Sequence, residues 1–332
     1  MAAIGATLPS AFTAVTARIP RDYADAHLWA ERFDRATGDL FALQNEITDR
    51  IAVALDLEVT GAEAARRTEH PDALEYILRG RAALSKPSSP DNYAQAIPLY
   101  ERALELDPGS VEAKGWLATA LVNRVFDAMA DTAAADVARA EELAGQALAA
   151  SPRSPLAHFA KGMVLRAQGR DEEAIPEYEA VIAFNPNWVY AITSLGWSKL
   201  MTGSLEEAIP IQERAMRLSP RDPNIDAWYW RIGMVHLLQS HTDEAILWLE
   251  KARSANPARP SPHTWLASAY ALKGETDRAA SELAEARRLV HGDLYSSITR
   301  LKATIPFGVP KIRALFEATF FVGLRKAGMP EE

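Results

Sequence analysis

Small and large apolar side chains recur along this chain at helical spacing, and the recurrence itself has a longer period. Ahead of Pro186 lie Gly162, Leu165, Gly169, Ala174 and Tyr178; ahead of Pro220 lie Gly196, Gly203, Ala208 and Ala215. Pro108, Pro152, Pro186, Pro220 and Pro257 each close such a phrase, with 34 residues from Pro152 to Pro186 and again to Pro220. A fixed period of this size predicts stacked helix pairs, in which each unit buries its apolar face only against its neighbours. The predicted fold class is all-α, an α-solenoid. Its units span 73–108, 111–152, 155–186, 189–220, 223–257 and 260–290.

Within a unit, Gly162, Gly196 and Gly233 share one place in the first helix, with Ala118 and Ala267 standing in elsewhere. Ala96, Ala140, Ala174, Ala208, Ala245 and Ala279 hold the matching place in the second. Small residues there let two helix axes approach closely, while Tyr100, Leu165, Tyr178, Leu249, Tyr270 and Leu283 fill the space beside them. Gly169, Gly203 and Gly274 suit the left-handed residue that ends a helix. Asp171, Ser204, Thr242 and Thr276 follow as helix-start residues. Two units are stretched, around Asp127–Asp136 and Arg221–Asp226, and Lys86–Pro90 is an insertion between the helices of the first.

These phrases resemble the tetratricopeptide repeat over roughly 220 of the 332 residues. Lys114 and His158 depart from it, occupying places where that family carries a large apolar side chain, which predicts looser packing in those two units. Residues 27–57 resemble the linker of bacterial signalling proteins. In those, a class III adenylate/guanylate cyclase or winged-helix domain and a small TolB-like α/β domain precede a tetratricopeptide array. Phe307–Ala318 resembles the end of the cyclase-associated members. By that resemblance Leu28–Phe33 is a strand remnant, expected to have lost its sheet, and Leu40, Leu43, Ile47, Ile51 and Leu55 mark a linker helix. The expected organisation is a poorly ordered segment 1–26, a linker 27–68, the array 73–290 and a C-terminal segment 291–332. The resemblance implies the regulatory half of a signalling protein whose output domain is absent from this chain.

One amphipathic helix is predicted over Pro310–Ala327, with Ile312, Leu315, Phe316, Thr319, Phe320, Gly323 and Leu324 on one stripe. A cap over the open end of the array is the first reading. A docking helix through Phe316, Phe320 and Leu324, for a partner or a second copy of the chain, is the alternative and leaves a homo-oligomer open.

Composition narrows the function. A net charge of −8 and the lack of a basic face argue against nucleic-acid binding. With no cysteine there is neither a disulfide framework nor a thiolate metal site, which fits a cytoplasmic location. No run approaches the ~20 apolar residues of a membrane span. The acids fall at helix starts or on exposed faces. His236 and His241 lie on different sides of a helix, and no glycine-rich phosphate loop occurs. No catalytic residue, cofactor or metal is therefore expected, and the chain reads as a non-enzyme. Phe159, Met163, Arg166, Tyr190, Trp197, Trp230 and Met234 are predicted to line the concave face, a surface of the type protein interfaces favour. The expected partner is a protein or peptide held in that groove.

Overall fold

The structure, a computed structural model, describes residues 13–18, 27–33, 47–54, 56, 60, 72–130, 132–290, 292–304 and 308–332. Six antiparallel helix pairs follow one another: α1 (Ala73–Leu84) with α2 (Pro90–Leu106), α3 (Val111–Phe126) with α4 (Ala133–Ala150), α5 (Pro155–Ala167) with α6 (Asp171–Phe184), α7 (Val189–Met201) with α8 (Leu205–Leu218), α9 (Ile225–Leu238) with α10 (Thr242–Ala255), and α11 (Pro260–Lys273) with α12 (Thr276–Leu289). Each pair packs on the next, and the core gathers in two large clusters, one over the first three units and one over the last three with the C-terminal helices, with a smaller one around Trp228.

The prolines act through the residue before them. Asp107, Ser151, Asn185, Ser219 and Asn256 each end a second helix with φ between −132° and −144° and ψ between 74° and 97°. Clash with the following pyrrolidine ring excludes the helical region at that residue, so the chain leaves the helix at the same point in five units. The tight helix approach is equally local. A Cβ on Gly162 would lie 2.7 Å from the Tyr178 ring, and one on Gly80 would lie 2.6 Å from Tyr100.

Turn chemistry is partly as expected. Gly169, Gly203 and Gly274 have positive φ, but Ala128 and Ser240 take that conformation where no glycine is present. Side-chain caps are formed by Asp72, Ser89, Ser110 and Ser154. The expected starts at Asp171, Ser204, Thr242 and Thr276 carry none; those second helices place acids in the first turn instead, where they meet the positive end of the helix dipole. The expected looseness at His158 is not seen. Its Nδ1 lies 2.5 Å from Glu177 and its Nε2 lies 3.0 Å from the Pro152 carbonyl, and His263 repeats both contacts with Glu282 and Pro257. Lys114 is half-buried.

The N-terminal expectation needs correction. Strand β1 (Thr13–Arg18) pairs antiparallel with β2 (His27–Phe33), in register from Thr13 opposite Phe33 to Ala17 opposite Trp29, with a shift that sets Arg18 opposite His27. Leu28–Phe33 has thus kept a strand partner, supplied by the segment just before it. The rest of 1–26 lies outside the described residues, as does much of the linker; residues 47–54 are helical.

The C-terminal segment also differs from a single helix. After α13 (Ile298–Thr304) it forms α14 (Pro310–Ala318) and α15 (Phe320–Lys326), broken at Thr319, whose φ and ψ are −122° and −77°. The Thr319 hydroxyl donates to the Leu315 carbonyl at 2.7 Å. The bend turns Phe320 flat onto Trp265, 4.1 Å between centroids, while Phe316 meets the same indole edge-on at 5.6 Å. Gly323 lets α15 touch α11 at Ser268, whose hydroxyl donates to the Phe320 carbonyl at 2.9 Å. Phe316, Phe320 and Leu324 are all buried against this chain's own last unit, so the proposed docking stripe is already covered.

Candidate binding chamber

Because the first helix of each unit faces inward, the coil encloses a lumen of about 1140 Å³. All seven residues predicted for the concave face line it, and Phe316 and Phe320 of the cap close part of one side. Leu324 does not reach it. Phe159, Met163, Arg166 and Met234 are buried, and Tyr190, Trp197 and Trp230 are half-buried. Several of these side chains therefore serve the inter-unit core and the lumen wall together.

The groove is not open along its length. The insertion in the first unit reaches across to the fifth, where Ser88 Oγ donates to Asn224 Oδ1 at 2.9 Å and Asn256 Nδ2 donates to the Ser88 carbonyl at 3.4 Å. Below it lies a buried polar strut. Tyr93 Oη donates to Asp127 Oδ2 at 2.6 Å, and Arg259 joins Asp127 to Asp226 through Nη1 and Nε. Burial alone would lower the Arg259 pKa, but the two carboxylates hold it above its ordinary value. Asp127 lies in the stretched second unit and Asp226 at the end of the stretch in the fifth. The two length irregularities in the sequence thus build the strut that closes the coil.

Beside the strut the wall is aromatic and cationic. Arg166 sits 4.0 Å from the Phe126 ring centre and 4.7 Å from that of Trp197; Arg231 lies 5.8 Å from Trp197. Trp230 packs against Trp197 at 5.8 Å. Burial lowers the pKa of Arg166, and lowers that of Arg231 well below its ordinary value, helped there by the charges of Arg166 and Arg259. Two acids are shifted the other way. Asp171, which accepts from Ser198 Oγ at 2.8 Å, is raised to about 6 by burial. Asp222, bonded by Ser219, Asn224 and Tyr190, is likewise raised by burial to about 6.

Sequence reasoning missed Arg231, Arg259, Asp127 and Phe126. A signal existed for Arg231: two residues before Gly233 it stands where units three and four carry Ala160 and Ser194. A large cation in a small-residue place marks a departure from the repeat. Among the described residues no cluster of three His, Asp or Glu side chains could hold a metal, and no helix is long and apolar enough to cross a membrane.

The tetratricopeptide repeat family matches residues 90–124 and 128–187, and the helix pairs beyond both matches continue the same geometry. In class, the fold is an α-solenoid of paired helices similar to the tetratricopeptide repeat. Among curated proteins it resembles putative adenylate cyclase 3 of Rhizobium meliloti (strain 1021), 30% identical over 152 residues, which is 45% of this chain and 26% of that protein. The match thus spans about a quarter of the relative's length. Among solved structures, the human IFIT1 dimer with m7Gppp-AAAA aligns at a TM-score of 0.54 and 16% identity, covering 85% of this chain and 67% of that one. The APC/C hetero-tetramer Cut9-Hcn1 aligns at 0.55 and 16%, covering 80% and 48%. At such identities these two likenesses concern the fold alone.

Proposed function

We propose that the chain is a non-catalytic binding module whose site is the lumen of the solenoid, taking an extended segment of a protein or peptide. The convergence of Trp197, Trp230, Tyr190 and Arg166 on one concave surface carries this reading, since aromatic and Arg side chains dominate binding energy at protein interfaces. Capture from a lysate by the immobilised chain tests it, with Trp197→Ala and Trp230→Ala as controls. Both variants should keep the helical circular dichroism of the parent and lose the captured partner. Variants that merely unfold would count against the reading.

A second reading is favoured by the cross-lumen contacts. They narrow the groove to a chamber whose volume is close to the range of roughly 300–1,000 Å³ typical of small-molecule sites. Together with the likeness to an adenylate cyclase, this supports a sensory or regulatory part of a cyclase-type signalling protein. Cyclic AMP formation by the Rhizobium meliloti relative, measured with and without this chain co-expressed, tests it; an unchanged rate speaks against regulation.

A further inference from the structure

Two guanidinium groups line the chamber with no acid in hydrogen-bond or ion-pair contact among the described residues. Arg166 is only 5% exposed, makes no hydrogen bond and joins no ion pair among the described residues, and its Nε is enclosed without a partner. Arg231 donates from Nη1 to the Thr193 carbonyl at 3.3 Å, while its Nε is also enclosed and unpartnered. Of the nearby carboxylates, Asp127 and Asp226 pair with Arg259, and Asp171 accepts from Ser198 while its charge acts on Arg166 without direct contact. A third orphan donor, the indole Nε1 of Trp230, lies in the same wall. Guanidinium does not give up its proton in proteins, so two like charges face one enclosed space. Native structures pair buried charges and satisfy buried donors. Here no acceptor among the described residues reaches either Nε or the Trp230 indole.

We propose that the chamber holds a small organic anion, its carboxylate, sulfonate or phosphate group set between Arg166 and Arg231 and its flat apolar body stacked on Trp197 and Trp230. The walls dictate both halves of that description. Phe126 and Trp197 carry Arg166 on one ring face and Trp230 packs beside Trp197, so the wall around the cations is aromatic, and the guanidinium forks match the geometry of an acid group. This inference rests on the reading of the chamber as a sensory site.

Anilinonaphthalene sulfonate and its uncharged parent, phenylnaphthylamine, form the test pair, because they share a ring system and differ in the acid group. Both are titrated into the full chain by fluorescence, with Arg166→Met and Arg231→Met alongside. The sulfonate should bind one-to-one and about tenfold or more tighter than the amine. Each variant should lose about tenfold in sulfonate affinity, keep its affinity for the amine, and melt no lower than the parent without ligand. Equal binding of the two dyes to the parent, or undiminished sulfonate binding by both variants, overturns the anion site while leaving the chamber as a binding site. Weaker binding of both dyes together with a lower melting temperature would make the arginines structural and also overturn it. If neither dye binds the parent, the sensory reading falls with the inference.

Discussion

Arg259 and Arg166 stand in the wall of one chamber, both nearly inaccessible to solvent, and their surroundings are opposite. Arg259 is gripped by Asp127 and Asp226, with Tyr93 completing the cluster; Arg166 has two ring faces and no acceptor. The first cation closes the coil by tying the second unit to the fifth and sixth. Arg166 makes no polar tie among the described residues, and Arg231 beside it makes a single bond to the Thr193 carbonyl at 3.3 Å. A residue type alone does not reveal which role it plays; the company its donors keep does. A satisfied buried charge holds the fold together, and an unsatisfied one calls for another explanation.

The comparison breaks most visibly at the strut. Arg259→Ala should destabilise the chain by about 3–5 kcal/mol in a denaturant titration, because it strands two buried carboxylates. The methionine variants of Arg166 and Arg231 should show no such loss, which is the sharpest contrast the chamber offers.

Next in size is the pH dependence of the buried acids that form no ion pair among the described residues. Asp171 and Asp222 have an ordinary value of 3.8 and are raised to about 6 in the folded state. Between those values the folded chain holds more protons than the unfolded chain, so stability should fall as pH rises from about 4 to about 6. The whole change is up to about 3 kcal/mol per group. Asp171→Asn keeps an acceptor for Ser198 and should flatten the slope of melting temperature against pH over that interval.

The smallest effect sharpens the contrast from the apolar side. Tyr178 is fully buried and its hydroxyl has no partner, as at Tyr100. Tyr178→Phe keeps the ring against Gly162 and removes an unpaired polar atom. It should leave stability unchanged or raise it by about 1 kcal/mol, read from the same denaturant curves.

Much of the fold was legible because its determinants are local. The pre-proline residues, the interlock of Gly162 with Tyr178 and the inward aspect of the first helices all follow from spacing along the chain. The same spacing placed Arg166, Trp197 and Trp230 on the lumen wall. The break at Thr319 was not legible, since an amphipathic stripe reads the same through a straight or a bent helix; docking onto Trp265 and Ser268 decides it. Nor was the pairing of β2 with β1, because Thr13–Arg18 carries no strong strand pattern of its own. The two stretched units were visible as irregularities of length, yet their meeting at Arg259 was not.

By itself, then, the order of residues determined the unit, its length and the face each helix turns inward, because helix packing between neighbours depends on contacts a few tens of residues apart. Only the tertiary structure decided that the coil would close. That depends on pairs such as Asp127 with Arg259, 132 positions apart, and Ser88 with Asn256, 168 apart, which come together once small rotations between successive units have accumulated. Closure turned a groove into a chamber and left Arg166 and Arg231 in its wall with no acid in direct contact among the described residues.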